Sequence, residues 1–270
     1  MSDIDVLELL GLAQATATEA AALAADMRSG GVQVQKTKSN DLDIVTQADT
    51  AVEALIRKRL ATARPADGVL GEEGGEADGT SGITWVIDPI DGTVNYLYGS
   101  PSYAVSIAAT TKAANGRYVS LAGCVHAPVL GTEYTSAAGQ AARRNGQELH
   151  VNEGVPLHQA LVSTGIPYDL EARAQVLADF ASLAPRIRDL RLVGSAALDV
   201  CGVAEGRTDA HVGRRLPIWD YAAAALIATQ AGSVVRGARG GPPSLELLLA
   251  ADTHLADALE PLITDGGIKE

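Results

Sequence analysis

A short apolar stretch that runs into a carboxylate-bearing turn constrains this chain more than any other part of its sequence. Trp85–Ile87 predicts a buried strand, and Asp88 at its end would point a carboxylate out of the strand tip. Pro89 fixes φ and lacks an N–H, so we expect the chain to turn there. Gly92 follows Asp91 and lets a ligand approach the backbone closely. Two carboxylates beside free N–H groups suit Mg²⁺ with a phosphate, whereas an Asp-Gly pair alone is typical of a surface turn.

Two adjacent acidic residues lie upstream in a glycine-rich loop. Glu72 and Glu73 stand within Gly71–Gly75, directly after the apolar pair Val69-Leu70. Neighbouring like charges repel unless solvent or a cation separates them. An exposed Glu-Glu pair is ordinary by itself, so it supports a metal site only together with the downstream carboxylates.

Two further aspartates stand where helices are predicted to begin. Asp49 and Thr50 open the helical pattern of residues 50–62, and Asp220 precedes the alanine-rich run Ala222–Ala231. Asp is a preferred N-cap residue, and the helix dipole keeps a carboxylate there ionised. The residues alone therefore predict that both aspartates are N-caps.

Taken together, these stretches resemble the inositol monophosphatase family of Mg²⁺-dependent, lithium-sensitive phosphatases, in the same order along the chain. The resemblance extends from about the first predicted helix to beyond Asp220 and covers nearly the whole chain. The Asp-Pro-Ile-Asp-Gly-Thr string is its most specific part, and the Glu-Glu pair counts only in this order. The residues that carry it are Asp49 at the end of Ile44–Asp49, Glu72-Glu73, Asp88–Thr93, Trp219-Asp220 and, as the family's substrate-side helix start, Gly194–Ala197.

The resemblance implies two to three Mg²⁺ ions in the site. Asp88 would be shared between the first two ions, and Glu73 would act through water at a third. Six acids would then gather at one place, and the metal ions would reverse the local charge. The implied ligands are Glu72, Glu73, Asp88, the Ile90 carbonyl, Asp91 and Asp220.

The same resemblance implies the catalytic and substrate-binding groups. Thr93 would hydrogen-bond the attacking water, with Glu72 and Asp49 behind it, and the N–H groups of Gly92 and Thr93 would hold the phosphate. No motif points to a protein nucleophile, and none of the five histidines is assigned to catalysis. The implied substrate-binding residues are Gly92, Thr93, Gly194, Ser195, Ala196 and Asp220.

One departure from the family bears on substrate choice. Inositol-selective relatives carry an acid seven residues before the Trp-Asp aspartate, whereas this chain has Gly213 there, followed by Arg214 and Arg215. A site without a partner for a substrate hydroxyl discriminates weakly, which predicts broad substrate use. The two arginines are either solvated or in contact with a second anionic group on the substrate, since Arg suits phosphate recognition.

Composition argues against several other classes of protein. The formal net charge of −12 disfavours broad binding to nucleic acid or to an anionic membrane. Two cysteines, Cys124 and Cys201, indicate a reduced compartment rather than a disulfide framework. The N-terminus lacks the pattern of a secretion signal, and no uninterrupted apolar stretch reaches about 18 residues. We therefore expect no membrane span and a cytoplasmic protein.

Helix and strand patterns interleave along the chain, which predicts a mixed α/β fold built in layers. The resemblance implies the family's layered αβαβα sandwich, either as a single phosphatase domain over residues 1–270 or as two lobes of about 1–140 (metal-binding) and 141–270 (substrate-side). Helices are predicted over 3–28, 50–62, 171–183, 195–206 and 222–231, and strands over 32–36, 83–87, 103–110, 119–126, 132–136, 141–144, 161–164 and 191–193. Loops or connections are predicted over 36–40, 146–155 and 237–243, with a further strand and helix within 245–259.

The residues and the resemblance together predict a Mg²⁺-dependent phosphomonoesterase. The resemblance implies inositol monophosphate as its substrate and a homodimer. Alternatives within the family are phosphatases of fructose-1,6-bisphosphate, histidinol phosphate or 3′-phosphoadenosine 5′-phosphate. From another class, a metal-binding regulatory protein that has lost catalysis stays open. The six acids and Thr93 argue against it, because a lapsed site has no physical reason to keep clustered charges.

Overall fold

The computed structural model describes residues 5–32, 34–37 and 44–264. The helices in this part of the chain are α1 Val6–Ser29, α2 Gln47–Ala63, α3 Thr93–Tyr98, α4 Leu170–Leu183, α5 Ala196–Ala204, α6 Ala222–Gln230 and α7 Thr253–Thr264. The strands are β1 Val34–Thr37, β2 Ile44–Thr46, β3 Gly68–Gly71, β4 Gly75–Ala77, β5 Ile83–Asp91, β6 Ala104–Lys112, β7 Tyr118–Ala127, β8 Thr132–Ala137, β9 Arg143–Arg144, β10 Gln147–Glu148, β11 Leu161–Thr164, β12 Asp189–Arg191, β13 Ala210–Gly213, β14 Val234–Arg236 and β15 Leu248–Ala251. Short 3₁₀ turns cover Leu157–Gln159, Ala184–Arg186, Ile218–Asp220 and Ala238–Gly240.

Two large sheets organise the chain. The eight-stranded sheet has the order β10-β9-β8-β7-β6-β5-β3-β4 and is antiparallel except where β3 pairs with β5. The five-stranded sheet has the order β12-β11-β13-β15-β14, with parallel pairs on both sides of β11. β1 and β2 form a separate antiparallel pair.

Alternation along the central strands divides the apolar core between two faces of the eight-stranded sheet. Trp85 and Ile87 belong to the core beneath α1 and α2, whereas Val86 belongs to the core beneath α5 and α6. Leu248 and Ala250 of the five-stranded sheet close this second core, and the opposite face of that sheet packs against α4 and α7. The layers therefore follow as helices, sheet, helices, sheet, helices, and the predicted αβαβα sandwich is confirmed. The division into two lobes stays a prediction.

Helix α1 is long and apolar enough to cross a membrane by length and composition alone, and among the described residues it is the single helix of this kind. Its buried face consists mostly of alanines and packs on β6, β7 and α2. Small side chains let the helix approach the sheet closely. The packing thus places α1 in an outer helical layer.

Both predicted N-caps are wrong. α2 begins at Gln47, three residues earlier than predicted, because Thr46 is its N-cap. Asp49 instead occupies the third helical position of a capping box, where it accepts the Thr46 backbone N–H. Asp220 ends the 3₁₀ turn Ile218–Asp220, and α6 begins without a side-chain cap.

The chain does not turn at Pro89, which is a second correction. β5 continues to Asp91, with an irregular register against β6 between Asp88 and Asp91. Proline has no donor for the sheet ladder and is tolerated at such an irregularity. The turn follows at Gly92, whose φ is +98°.

Other boundaries differ by a few residues. β12 ends at Arg191, where the sequence predicts that a strand begins, and β10 lies within the predicted connection 146–155. The predicted hairpin around Gly139 is confirmed as the antiparallel pair β8–β9. Of the predicted loop at 36–40, residues 36 and 37 belong to β1 and the rest lies outside the described residues.

Candidate active site

Most of the predicted site residues line one cavity of about 410 Å³. Asp49 and Glu73 are the two predicted site residues outside its lining. The predicted residues that line it are Glu72, Asp88, Ile90, Asp91, Gly92, Thr93, Gly194, Ser195, Ala196, Arg214, Arg215 and Asp220.

The parallel pairing of β3 with β5 places the two acidic stretches side by side. Gly71 of β3 pairs with Ile87 of β5 in the parallel ladder. Glu72 and Asp88 are the next residues along the two segments, so they lie side by side where this ladder ends. Asp88 is 1% exposed, and its Oδ1 accepts the Ile90 N–H at 3.0 Å. Strand β3 is not predicted by its sequence, because an apolar pair between glycines is too short to indicate a strand.

The start of α5 holds Asp91. Ser195 Oγ donates to Asp91 Oδ2 at 2.5 Å, and the Ala197 N–H donates to the same oxygen at 2.7 Å. The Ala196 N–H donates to Asp91 Oδ1 at 3.2 Å. A helix N-terminus stabilises negative charge through these unpaired donors. The predicted substrate-side helix start is thus confirmed as a helix start, and in this structure it contacts a protein carboxylate.

Asn95 fastens the start of α3 to the start of α5. Its Nδ2 donates to the Ser102 carbonyl at 2.7 Å and to the Val193 carbonyl at 2.8 Å. A Cβ at Gly194 would lie 2.8 Å from Asn95 Nδ2, and a Cβ at Gly92 would lie 3.0 Å from the Gly194 carbonyl oxygen. Both glycines have positive φ, so their lack of a side chain is required by conformation and by contact.

Thr93 lies between a buried carboxylate and a backbone carbonyl. Its hydroxyl is 3.1 Å from Asp49 Oδ1 and 3.1 Å from the Ile90 carbonyl oxygen, and it donates to one of them at a time. Asp49 Oδ2 accepts the Thr46 N–H at 2.7 Å and the Thr46 hydroxyl at 2.6 Å. The capping box of α2 therefore fixes the carboxylate that orients Thr93.

Burial raises the pKa values of three of these acids, Asp88, Asp91 and Asp49. Burial, and then the negative charges of the neighbouring acids, raise the pKa of Asp88 well above its usual range. Burial raises the pKa of Asp91 to about 6, although the hydrogen bonds from the start of α5 oppose the shift. Burial likewise raises the pKa of Asp49. The acids that act on Asp88 are Glu72, Asp91, Asp220 and Asp49.

The donor set fits a hard divalent cation. The described residues that line the cavity offer carboxylate and carbonyl oxygens and include no histidine or cysteine. Oxygen-only sites favour Mg²⁺, Ca²⁺ or Mn²⁺. Within the described ranges, no three Asp, Glu, His or Cys side chains form a complete metal-binding group as they stand. Mg²⁺ needs no such group, because it is usually held by one or two carboxylates and keeps several waters.

Asp220 reaches the cavity from the 3₁₀ turn Ile218–Asp220. The Ser106 hydroxyl donates to the Trp219 carbonyl at 3.5 Å, which ties this turn to β6. Because β6 pairs with β5 and Ser106 stands opposite Asp88, the turn lies over the end of the motif strand. The tertiary fold thus brings Asp220 within electrostatic reach of Asp88.

The two arginines differ in their surroundings. Arg214 forms an ion pair with Asp179 at 3.1 Å and donates to the carbonyls of Glu246, at 3.0 Å, and Ile263. Arg215 is exposed, has a positive φ of 59°, and within the described part of the chain its guanidinium has no protein partner. Arg214 is therefore a structural residue at the rim of the cavity, and Arg215 is available to a ligand.

Gly213 lies at the cavity wall, but its missing side chain leaves no empty space. A Cβ there would lie 2.3 Å from Leu216 Cδ1 and 3.0 Å from His211 Nε2. Leu216, which also lines the cavity, fills the position. Any side chain introduced at residue 213 therefore requires Leu216 to move.

Asp199 is a lining residue that the sequence analysis missed. It lies on α5, four residues after the N-cap Ser195, and is 3% exposed. Burial, and then the charge of Asp91, raise the pKa of Asp199 to about 8. Its Oδ1 is buried without a hydrogen-bond partner. The one signal for it was its spacing from Ser195, which puts both residues on one helix face.

The fold and the cavity together define a layered α/β protein with an acidic pocket that offers oxygen ligands. The sequence model of the inositol monophosphatase family matches residues 5–265. The chain belongs to the inositol monophosphatase family, and this membership indicates a phosphatase.

Individual relatives agree with the family match. An inositol-1-monophosphatase of Mycobacterium leprae is 42% identical over 95% of this chain and 94% of its own length. A protein of Pseudomonas aeruginosa named Nus factor SuhB is 37% identical over 80% of this chain and 81% of its own length. The crystal structure of extragenic suppressor protein suhB from Bartonella henselae superposes with a TM-score of 0.87 at 31% identity, covering 96% of this chain and 99% of the other.

Proposed function

We propose that this protein is a Mg²⁺-dependent phosphomonoesterase. The single observation that carries the proposal is the burial of Asp88 at a sheet edge, where four other acids raise its pKa. Concentrated negative charge of this kind is costly without a counterion, and a bound cation inverts the local electrostatics. Hydrolysis of a phosphate ester needs neutralisation of charge on the phosphoryl oxygens, and bound cations can supply it.

The acids of the site would be the ligands of the metal ions. Glu72, Asp88, Asp91, Asp220 and the Ile90 carbonyl would hold two ions, and Glu73 would serve a third through water. When bound, Mg²⁺ supplies neutralisation of the phosphoryl charge and activation of a water molecule.

The remaining groups act on the water and on the phosphate. The Thr93 hydroxyl donates a hydrogen bond to Asp49 Oδ1 at 3.1 Å. Its oxygen would then accept a hydrogen bond from the attacking water. Glu72 lines the same cavity and would be a further acceptor. The N–H groups of Gly92 and Thr93, at the start of α3, would bind the phosphate.

Inositol monophosphate is the substrate we propose first, because the Mycobacterium leprae relative is named for that activity. Gly194, Ser195, Ala196 and Asp220 line the cavity, and they would bind the alcohol portion of the substrate. The Leu216 side chain, rather than an acid, stands at the position of Gly213. We therefore propose broad use of phosphomonoesters, with fructose-1,6-bisphosphate, histidinol phosphate and 3′-phosphoadenosine 5′-phosphate as alternatives.

A panel of these phosphomonoesters, assayed with and without Mg²⁺, tests the proposal. We expect phosphate release that requires Mg²⁺ and that EDTA abolishes. Equal rates in the presence of EDTA would contradict the metal assignment. No release from any ester would contradict the phosphatase assignment.

Inhibition by lithium is a second expected property. Li⁺ is small and binds oxygen ligands, so millimolar Li⁺ should replace one Mg²⁺ ion and block turnover. Full activity in a large excess of Li⁺ over Mg²⁺ would count against the shared two-ion site.

A regulatory role without catalysis is the second candidate, and the name of the Pseudomonas aeruginosa relative favours keeping it. A variant that lacks activity separates the two candidates, because a role through partner contacts would survive the loss of catalysis. A cytoplasmic location and a homodimer complete the proposal. Sedimentation at several protein concentrations tests the dimer.

A further inference from the structure

The turn that carries both glutamates is held from below by a buried carboxylate of α2. Glu53 is 3% exposed and lies one helical turn after Asp49. Its Oε2 accepts the Glu73 N–H at 2.8 Å, and its Oε1 accepts the Gly74 N–H at 2.8 Å. One side chain therefore binds two consecutive N–H groups of the turn Glu72–Gly75.

Arg57 completes this arrangement. Its Nε donates to Glu53 Oε1 at 2.7 Å, and its Nη2 donates to the Gly75 carbonyl at 2.6 Å. A Cβ at Gly71 or at Gly74 would lie 2.7 Å from Glu53 Oε1. The glycines on both sides of the glutamate pair thus let the carboxylate approach the backbone, and this explains the glycine-rich sequence around Glu72 and Glu73.

We propose that Glu53 is a positioning residue for the metal site, with Arg57 as the group that orients it. Glu53 holds the turn Glu72–Gly75 so that both glutamates face the cations of the proposed phosphatase. The inference rests on the proposed function, and it assigns a role to two residues that contact neither metal nor substrate.

The geometry explains why the turn needs such support. The turn leads into β4, a three-residue, exposed edge strand of the eight-stranded sheet. Short edge elements open locally at low free-energy cost, and an ion site tolerates little displacement of its ligands. Asp49 and Glu53 stand four residues apart on one face of α2, so the same helix orients Thr93 and the glutamate turn.

The test is Glu53→Gln, measured in two ways. Gln presents one oxygen and one NH₂ group to two N–H donors, so one donor loses its acceptor. We expect the Mg²⁺ concentration for half-maximal activity to rise about tenfold or more, with kcat at saturating Mg²⁺ nearly unchanged. The second measurement is a Mg²⁺ titration of Tm in the absence of substrate. The Mg²⁺ concentration that gives half of the maximal increase in Tm should also rise.

A control is an ion pair that joins α1 to the same helix α2. Glu19 pairs with Arg59 of α2 at 2.6 Å, on the exposed surface between α1 and α2. Glu19→Gln removes an ion pair of similar length that has no contact with the turn. We expect this variant to keep the Mg²⁺ dependence of the parent protein in both measurements.

Two further variants apply if Glu53→Gln fails to fold. Arg57→Met leaves the two N–H bonds to Glu53 intact and should give a smaller shift in the same direction. Gly74→Ala pushes on Glu53 Oε1 from the other side and should give a larger one.

Two results would overturn the inference. One is a Mg²⁺ shift no larger than that of Glu19→Gln, and the other is a fall in kcat with an unchanged Mg²⁺ requirement. A parent protein whose Tm responds to Mg²⁺ but that hydrolyses no phosphomonoester would refute the proposed function alone. The Tm titration would still decide the role of Glu53.

Discussion

The acidic wall and the arginine-bearing wall of the cavity are built differently. On the acidic wall, Asp91 accepts three hydrogen bonds from the start of α5. Asp49, which lies outside the cavity lining, accepts hydrogen bonds from Thr46 and from the lining residue Thr93. On the arginine-bearing wall, Arg215 is exposed at a positive φ, and its guanidinium has no partner among the residues that the structure describes.

The difference separates chemistry from selectivity. Groups held by several hydrogen bonds keep one geometry, which catalysis requires, because a small displacement of a reacting group costs much of the rate. A solvated arginine adapts to different partners and orders only when a ligand arrives. We therefore expect substitutions on the acidic wall to abolish the reaction and those on the arginine wall to change which substrates react.

The largest effect is expected from Asp91→Asn. Removing this charge from the proposed second ion site should lower kcat by about a thousandfold, which corresponds to about 4 kcal/mol of lost transition-state stabilisation. Steady-state kinetics at saturating Mg²⁺ measure it. Glu19→Gln is the control, because it removes a carboxylate from the exposed surface between α1 and α2. An unchanged rate in Asp91→Asn would dismiss the metal assignment.

The acidic wall should also make the metal-free protein sensitive to pH. The pKa of Asp91 is raised from 3.8 to about 6, so the native state binds a proton more tightly than the unfolded state does. The stabilising contribution of protonated Asp91 is therefore present below about pH 4 and is lost as pH rises through 6, a change of about 3 kcal/mol.

Urea unfolding in EDTA, compared between the parent protein and Asp91→Asn from pH 4 to pH 7, isolates this contribution. As pH rises, the parent protein should lose unfolding free energy relative to Asp91→Asn. Mg²⁺ at neutral pH should restore the stability of the parent protein. A difference that is independent of pH would show that Asp91 titrates normally.

The range of substrates hydrolysed tests the role of the arginine-bearing wall. We expect inositol monophosphate and at least one unrelated phosphomonoester to react within about two orders of magnitude in kcat/KM, or about 3 kcal/mol. Gly213→Glu needs space that Leu216 occupies, so the informative variant is Gly213→Glu with Leu216→Ala, and Leu216→Ala alone is its control. The double variant should favour inositol monophosphate. Strict selectivity in the parent protein would show that other residues shape the pocket.

The smallest effect is expected from the arginines. Arg215→Gln should lower kcat/KM for fructose-1,6-bisphosphate by about tenfold, roughly the worth of one charged contact, and leave inositol monophosphate nearly unaffected. Arg214→Gln should instead lower the free energy of unfolding by about 1–3 kcal/mol, because it removes hydrogen bonds to a partly buried charged group. Equal losses for both substrates in Arg215→Gln would exclude a second anion contact.

Much of the fold and of the site was accessible from the sequence. The strand at Trp85–Ile87, the helix start at Gly194-Ser195 and the clustering of Asp88 with Asp91 and Asp220 all follow from local patterns or from the family resemblance. The αβαβα order came from that resemblance alone, since periodicity predicts elements but not which faces meet.

The errors share one cause. The sequence predicts Asp49 as an N-cap because Asp favours helix starts. The helix instead begins three residues earlier, with Thr46 as its N-cap and Asp49 in a reciprocal capping box with it. A turn was predicted at Pro89, but pairing with β6 carries β5 on to Asp91. In both places a contact outweighs the local preference of one residue: a capping box within the helix start at Asp49, and pairing with a neighbouring strand at Pro89.

The sequence by itself determined which chemical groups are present: the acids, the hydroxyl of Thr93 and the glycines that permit close backbone approach. Only the tertiary structure decided where those groups face. Strand pairing places Glu72 beside Asp88, and N–H groups at the start of α5 donate to Asp91. Glu53 accepts N–H groups of the glutamate turn, and Leu216 fills the space at Gly213. The physical reason is that side-chain chemistry is carried by each residue, whereas burial, pKa and hydrogen-bond partners depend on segments distant in the chain.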